Sequence, residues 1–222
     1  MSIKTNIEDL RRRLPDGVGL VAVSKFHPVD ELAEAYAAGQ RIFGESRAQE
    51  LEEKVAHLPS DVQWHFIGHL QTNKVKKVVP HAALIHSIDS ERLLRAVDDE
   101  AARLSLTPGV LLQVHVAREE TKFGFSPKEL IELLSPEFLS SLKAVKIKGV
   151  MGMASNVDDE QRIRADFRAV ASVFRELKSG PFSGNDDFSV ISMGMSHDWP
   201  LAVQEGSNMV RVGTAIFGER EY

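Results

Sequence analysis

Lys25 is the residue whose position in the sequence says most about chemistry. It follows the small and apolar run Gly19–Val23 and a single serine, Ser24. Such a run predicts a buried strand. A lysine that points inward at the end of this strand loses hydration, which favours the uncharged amine that a Schiff base requires. The alternative is a lysine whose stem covers the strand end while its ammonium stays in water.

Two short segments that contain glycine give a second chemical signal. Residues 192–196 and 212–214 combine glycine with serine or threonine, and each lies at the end of a predicted strand. Glycine lets the backbone approach a phosphate, whose oxygens then accept from N–H groups and hydroxyls. Each segment alone would be typical of a tight turn. In an eight-stranded barrel the loops after the last two strands frequently bind phosphate, so together they predict a phosphate site.

Arg211 is the third candidate. Strand alternation places Met209 and Arg211 on one face and Val210 and Val212 on the other. An arginine that faces inward needs an anion or another acceptor, and a buried ion pair with a carboxylate would also satisfy it. A lysine, a phosphate site and an arginine around one barrel mouth suggest pyridoxal phosphate, with the arginine facing the pyridine nitrogen.

Eight short apolar runs alternate with amphipathic stretches and would bring these residues together. The clearest helix lies in residues 163–177, where apolar side chains recur every three or four positions. The predicted strands are 19–23, 41–44, 63–67, 82–86, 110–116, 145–151, 188–192 and 209–212. Each strand but the last precedes a helix, so we predict that residues 1–222 form a single (β/α)8 TIM barrel. An open doubly wound sheet would have fewer strands and usually a glycine-rich first turn.

The working residues of such a barrel lie at the carboxyl ends of its strands. Besides Lys25, this rule selects Ser46 after the second strand and His69 after the third. His86 and Asp89 are expected at the end of the fourth strand. The rule therefore gathers most of the polar candidates at one end of the barrel.

Composition limits the class of protein. Of 222 residues, 43% are hydrophobic and 27% are charged, which is typical of a globular chain. Lys and Arg total 27 against 32 for Asp and Glu, and a net charge of −5 argues against broad nucleic-acid or membrane binding. The absence of cysteine excludes disulfides, thiolate metal sites and cysteine nucleophiles. We expect a cytoplasmic protein without a signal peptide or membrane segment.

Two further patterns are weaker. Residues 194–198, Gly-Met-Ser-His-Asp, briefly resemble the nucleophile elbow of a serine hydrolase, but Asp198 replaces the second glycine and a catalytic triad is spatial. His65 and His69 are four residues apart without the glutamate of a zinc helix, and their segment predicts a strand end. We therefore predict no metal site.

Six segments, taken in order, closely resemble the pyridoxal phosphate homeostasis proteins. They are Val21–Lys25, Phe43–Glu45, Trp64–Lys74, Ser87–Asp89, Ser192–Asp198 and Val210–Gly218. The resemblance covers nearly the whole chain. It implies a barrel like the N-terminal domain of alanine racemase, of pyridoxal phosphate fold type III, without the C-terminal β domain. It also implies a monomer that buffers or delivers pyridoxal 5′-phosphate, with apo-enzymes that use this form of vitamin B6 as candidate recipients.

The same resemblance implies roles for individual residues. Lys25 carries the cofactor as a Schiff base, and Arg211 lies near the ring nitrogen. The phosphate lies at Ser196, Gly213 and Thr214, with Met195 beside them. The chain departs from the family at Ser46, where asparagine beside the cofactor is usual, and at Phe26, where threonine is usual. Both departures are expected to change the affinity for the cofactor and to leave the covalent anchor in place.

The alternative function is an amino-acid racemase or a related pyridoxal phosphate enzyme. A racemase needs an acid and a base on opposite faces of the substrate carbon, and Lys25 can serve only one face. In alanine racemase a second domain and the partner subunit complete the site, including a tyrosine. Here the two tyrosines are Tyr36, in a predicted helix, and Tyr222, the last residue. Arg211 stays protonated and disfavours the pyridinium form, so we predict binding without established turnover.

Overall fold

The computed structural model describes residues 2–116 and 123–219. Its eight strands follow one another in chain order and close into a barrel, and every neighbouring pair is parallel. They are β1 (Gly19–Val23), β2 (Ile42–Glu45), β3 (Gln63–Phe66), β4 (Ala82–Ile88), β5 (Gly109–Val114), β6 (Lys146–Gly152), β7 (Val190–Ser192) and β8 (Met209–Val212). The predicted fold class is confirmed.

Helices lie between the strands, as predicted. They are α1 (Ile3–Arg13), α2 (Val29–Ala37), α3 (Ala48–Val55), α4 (Val75–Val78), α5 (Glu91–Leu104), α6 (Pro127–Leu133), α7 (Pro136–Ser141), α8 (Glu160–Ser179), α9 (Trp199–Gln204) and α10 (Thr214–Phe217). A 3₁₀ turn, Thr72–Lys74, precedes α4. The expectation that no helix follows the last strand is wrong, because α10 begins two residues after β8.

Side chains cap two of the helices at their amino ends. The Ser90 hydroxyl accepts the N–H of Leu93 at the start of α5, at 3.3 Å. At the start of α6, Ser126 and Glu129 accept each other's backbone N–H groups and form a capping box. Such caps satisfy N–H groups that lack an intrahelical partner, so the helices begin where the sequence provides these side chains.

Apolar side chains form two separate cores. The larger lies between the strands and the surrounding helices and includes Val210 and Val212. The smaller consists of Leu84, Leu111 and Met151, with Met153, Val190 and Met209 packed against them. These side chains come from different sides of the barrel and can meet only in its interior. The predicted phase of β8 is therefore confirmed, with Met209 facing inward and its neighbour Val210 facing the helices.

Polar residues lie one step further along three of the strands. In each case the polar residue follows a member of the inner core by two positions, so it also faces inward. The pairs are Leu84 and His86, Val190 and Ser192, and Met209 and Arg211. The interior is thus hydrocarbon near the amino ends of the strands and polar towards their carboxyl ends. His86, expected at the end of its strand, instead lies inside β4, which continues to Ile88.

Across residues 2–116 and 123–219, helices that combine the length and the apolar character needed for a membrane crossing are absent.

Candidate functional site

Three predicted site residues lie next to one another at the carboxyl end of the barrel. Strand β1 lies between β2 and β8, and its last residues pair with Gly44 and Val212. Lys25, Ser46 and Gly213, which follow these strands, therefore share one edge of the mouth. A Cβ atom on Gly213 would lie 3.1 Å from the carbonyl oxygen of Val23, which is tighter than most contacts of real Cβ atoms. Glycine at this position is what lets the ends of β1 and β8 approach.

Lys25 lies in a tight turn directly after β1. The N–H of His27 donates to the carbonyl oxygen of Ser24 at 3.1 Å and closes the turn around Lys25 and Phe26. Phe26 has a φ of 69°, in the left-handed region that bulky residues rarely adopt. Such a conformation costs of order 1 kcal/mol and persists only where neighbouring contacts enforce it. The half-buried Lys25 is therefore followed directly by a residue whose backbone conformation is strained.

Three charged side chains behind the turn supply those contacts; we call Glu45, Glu50 and Lys54 the α3 cluster. The Lys54 ammonium donates to the carbonyl oxygen of Ser24 and to Glu45 Oε1, both at 2.8 Å, and to Glu50 Oε2 at 3.1 Å. Glu50 Oε2 also accepts the N–H of Phe26 at 2.8 Å. The residues on both sides of the predicted attachment lysine are thus bonded to α3.

Burial acts on both carboxylates of the α3 cluster, with opposite outcomes. It raises the pKa of Glu45, and Lys54 and Ser24 oppose this only in part. Burial alone would also raise the pKa of Glu50, but the Phe26 N–H and Lys54 outweigh it and lower that pKa. Within the part of the chain that the structure describes, Glu45 Oε2 is buried without a hydrogen-bond partner.

A second buried group runs through the barrel itself; we call Arg211, Ser192, His86 and His65 the interior chain. Arg211 Nη1 donates to Ser192 Oγ at 2.6 Å, and Ser192 Oγ lies 3.0 Å from His86 Nδ1. His86 Nε2 lies 3.0 Å from His65 Nδ1. All four side chains are buried. Desolvation lowers the pKa of His65 to about 3 and that of His86 well below its ordinary value, so both imidazoles are neutral.

Arg211 is held by neutral acceptors. Nη1 also donates to the Ser192 carbonyl oxygen at 2.9 Å, and Nη2 donates to that of Gly152 at 3.1 Å. Burial lowers the pKa of Arg211 to about 10, with Asp198 opposing, so the guanidinium stays charged at neutral pH. A guanidinium has five N–H donors. The described residues accept three of them, so two N–H groups of Arg211 have no partner among these residues.

The loops after β7 and β8 touch each other, as a shared phosphate site requires. The N–H of Gly213 donates to Ser196 Oγ at 3.3 Å. The N–H of Arg211 donates to the carbonyl oxygen of Gly194 at 3.0 Å. Met195 is half-buried between these residues, and the exposed Thr214 begins α10, whose first N–H groups have no partner within the helix.

Ser46 lies where β2 leaves the barrel. It lines a surface pocket together with Phe66, His69 and Lys74. A Cβ atom on Gly68 would lie 2.2 Å from the Ser46 carbonyl oxygen, so the loop after β3 packs directly on the Ser46 backbone. The structure thus brings Ser46 to the mouth beside Lys25 and connects it to the third strand.

The geometry does not favour the two weaker patterns. The Ser196 hydroxyl is bonded to the Gly213 N–H, while the His197 side chain is 68% exposed. His65 points into the barrel, whereas His69 lies outside, stacked on Phe123 and 3.0 Å from Asp89. In residues 2–116 and 123–219, clusters of three His, Asp or Glu residues suited to a metal are absent.

Sequence reasoning missed the supports of the site. Glu45 and Lys54 received no role from the sequence, and neither the predicted phosphate segment that contains Ser192 nor the histidine pattern that contains His65 placed these residues behind Arg211, although all four are buried. A signal for Lys54 was present, because it follows Leu51 at the spacing of one helix face. No comparable signal links His65 to Ser192, which meet only when the barrel closes.

These features define a (β/α)8-barrel protein with a candidate ligand site at the carboxyl ends of its strands. Residues 1–221 match the family described as alanine racemase, N-terminal domain, and the chain belongs to that family.

Individual relatives agree with this assignment. The pyridoxal phosphate homeostasis protein of Aquifex aeolicus is 38% identical over 204 residues, which are 91% of this chain and 87% of the relative. PipY of Synechococcus elongatus, solved with pyridoxal phosphate bound, is 41% identical with a TM-score of 0.89, over 98% of this chain and all of that one. Alanine racemase of Bartonella henselae shares the fold, with 18% identity and a TM-score of 0.72 over 98% of this chain and 58% of that one.

Proposed function

We propose that this protein binds pyridoxal 5′-phosphate at the barrel mouth and holds it for buffering or delivery. The observation that carries the proposal is Arg211, a buried cation with two unused N–H donors among the described residues, on the strand whose end packs on that of β1. When bound, pyridoxal phosphate supplies an aldehyde that condenses with a lysine amine and releases water. Lys25 is the amine at this edge.

The remaining residues bind and orient. Arg211 donates to the ring nitrogen, Ser46 borders the cofactor at the end of β2, and Met195 packs beside the phosphate. The phosphate is bound by Ser196, Gly213 and Thr214. Support for this arrangement comes from the contact between Ser196 and Gly213, and from PipY, a relative with pyridoxal phosphate bound. The relatives named pyridoxal phosphate homeostasis proteins support holding the cofactor as the function.

Two features favour binding over turnover. An arginine that donates to the ring nitrogen keeps that nitrogen unprotonated, which weakens the ring as an electron sink. In addition, the Tyr36 hydroxyl donates to Asp61 at 2.7 Å, just before β3, so this tyrosine lies at the opposite end of the barrel from Lys25. Tyr222 lies outside the described residues. A cytoplasmic location, a monomeric state and a single domain over residues 1–222 stay predictions.

The attachment is tested by borohydride reduction after incubation with pyridoxal phosphate, followed by intact mass and peptide mapping. We expect one adduct, on the peptide that contains Lys25, and none in Lys25→Ala. The matched control is Lys74→Ala, an exposed lysine near Ser46, which should retain the adduct. Adducts scattered over surface lysines, or an adduct that survives in Lys25→Ala, would contradict the proposed site.

Delivery and turnover are separated by two further measurements. Loaded protein mixed with an apo-enzyme should activate it faster than the cofactor leaves the protein spontaneously. Equal rates would limit the function to buffering. Loss of α-deuterium from any amino acid at an enzymatic rate would favour the racemase instead.

A further inference from the structure

We propose that His86 is a positioning residue, which acts through Ser192 to hold the Arg211 guanidinium against the ring of the bound cofactor. This inference rests on the proposed function, because it assigns a role to residues that lie behind that site. His86 does not itself reach the mouth: it lies inside β4 and is fully buried.

The interior chain crosses the barrel from β8 through β7 and β4 to β3. Three successive contacts of 2.6, 3.0 and 3.0 Å join its four side chains. Hydrocarbon fills the neighbouring layer, so packing alone does not require polar groups at these positions. A buried polar group costs free energy unless its partners are in place, and a fully connected network is rigid. The interior chain is therefore suited to fixing one orientation of Arg211.

The direction of the hydrogen bonds follows from the donors available. Arg211 can only donate, so Ser192 Oγ accepts from it. Among the described residues, His86 Nδ1 is the acceptor within reach of the buried Ser192 proton, which would otherwise go unpaired, and to accept it this nitrogen must be unprotonated. A neutral His86 therefore carries its proton on Nε2 and donates to His65 Nδ1. All three bonds run the same way, from the guanidinium to the second imidazole.

This direction explains how His86 acts on Arg211. The Ser192 hydroxyl can rotate, and an acceptor for its proton helps to keep a lone pair turned to Arg211 Nη1. His86 is that acceptor. Removing it frees the hydroxyl to rotate, which weakens one of the two bonds that align Nη1 with Ser192.

The arrangement of protons is tested on ligand-free protein, independently of any cofactor. Nitrogen-15 NMR of the imidazole rings at pH 7 should show His86 and His65 neutral and protonated on Nε2. In Ser192→Ala the His86 Nδ1 resonance should shift, because that nitrogen loses its donor. Protonation of His86 on Nδ1, or no shift in Ser192→Ala, would overturn the proposed chain.

The effect on the site is tested with His86→Phe and His86→Asn on the full chain. His86→Phe removes the acceptor, so we expect about tenfold weaker binding of pyridoxal phosphate and a shifted pH midpoint in the visible absorbance of the bound cofactor. His86→Asn offers an amide oxygen near the position of Nδ1 and should restore most of both. The control, Leu84→Ala, removes interior packing two residues earlier and should lower the Tm without moving the midpoint.

Each outcome decides between the inference and the proposed function. Wild-type protein that fails to bind pyridoxal phosphate refutes the proposed function and, with it, the role of His86. Wild-type protein that binds, with His86→Phe unchanged in affinity and midpoint, overturns the inference alone. If His86→Phe does not fold, the smaller His86→Leu, which also lacks an acceptor, takes its place, with the same expected changes and the same contradicting result.

Discussion

The two sides of the barrel mouth, the Lys25 turn and Arg211, are stabilised by different kinds of interaction. The α3 cluster holds the Lys25 turn from outside the barrel with three formal charges, of which Glu50 is partly exposed. On the inner side, the only charge of the interior chain is that of Arg211 itself, and its partners are the Ser192 hydroxyl and two neutral imidazoles. Between strand and helix an ammonium can reach two carboxylates and offset their desolvation. Inside the closed barrel a further charge would have no partner, so the protein uses neutral groups that can both donate and accept.

The largest effect on stability is expected from Lys54, which supplies the single ammonium of the α3 cluster. Lys54→Met leaves Glu45 buried beside an empty partner position, so we expect a loss of about 3 kcal/mol in the free energy of unfolding. The matched control is Lys77→Met, whose bond to Glu52 at 2.6 Å lies at the surface. It should cost less than about 1 kcal/mol. Urea denaturation of both variants at pH 7 gives the difference, and equal losses would break the comparison.

Acid should weaken the interior chain in particular. The unfolded chain protonates its histidines below about pH 6.5, whereas folded His65 resists protonation down to about pH 3. The unfolded state therefore binds more protons in this window, and stability falls as the pH falls below 6.5, with a slope that approaches about 1.4 kcal/mol per unit for His65 and for His86. Unfolding free energies at pH 6.5 and 5.5 should show a smaller drop in His65→Asn. Equal drops in both proteins would contradict a neutral His65.

The hydroxyl at the centre of the interior chain should contribute less than Lys54. Ser192→Ala leaves Arg211 and His86 each without one partner, and we expect a loss of about 2 kcal/mol in unfolding free energy. Ser87→Ala is the control, because the buried Ser87 hydroxyl has no hydrogen-bond partner among the described residues. Its removal should be neutral or stabilising. A greater loss in Ser87→Ala than in Ser192→Ala would contradict the assigned contacts.

The smallest effect is expected in the turn itself. Phe26→Asn relieves the cost of a positive φ, which asparagine tolerates, but it also removes the stacking of Arg47 over the Phe26 ring at 4.3 Å. The two changes oppose each other, so the unfolding free energy should move by less than about 0.5 kcal/mol. A large loss measured by urea denaturation would show that the aromatic contact, and not the α3 cluster, holds the turn.

The architecture could be predicted from the sequence because each strand shows itself locally. The apolar runs predicted all eight strands, and alternation placed Arg211 on the inward face of β8. The supports of the site could not be predicted in this way. His65 and His86 are 21 residues apart, and His86 and Ser192 are 106 residues apart, so their contacts depend on barrel closure. The sequence predicts that the fourth strand ends at His86, because the polar Ser87 interrupts the apolar pattern, whereas β4 continues to Ile88.

The hydrogen bond between Gly213 and Ser196 bears on how a ligand can leave. The N–H of Gly213 has an acceptor within the protein itself, the Ser196 hydroxyl at 3.3 Å. An incoming phosphate oxygen would replace that hydroxyl, and a departing one would be replaced by it. Under the proposed function, release would therefore leave the Gly213 N–H with an acceptor. The Ser196 hydroxyl would thus exchange with a phosphate oxygen at the Gly213 N–H, and this exchange would favour reversible binding and release of the ligand.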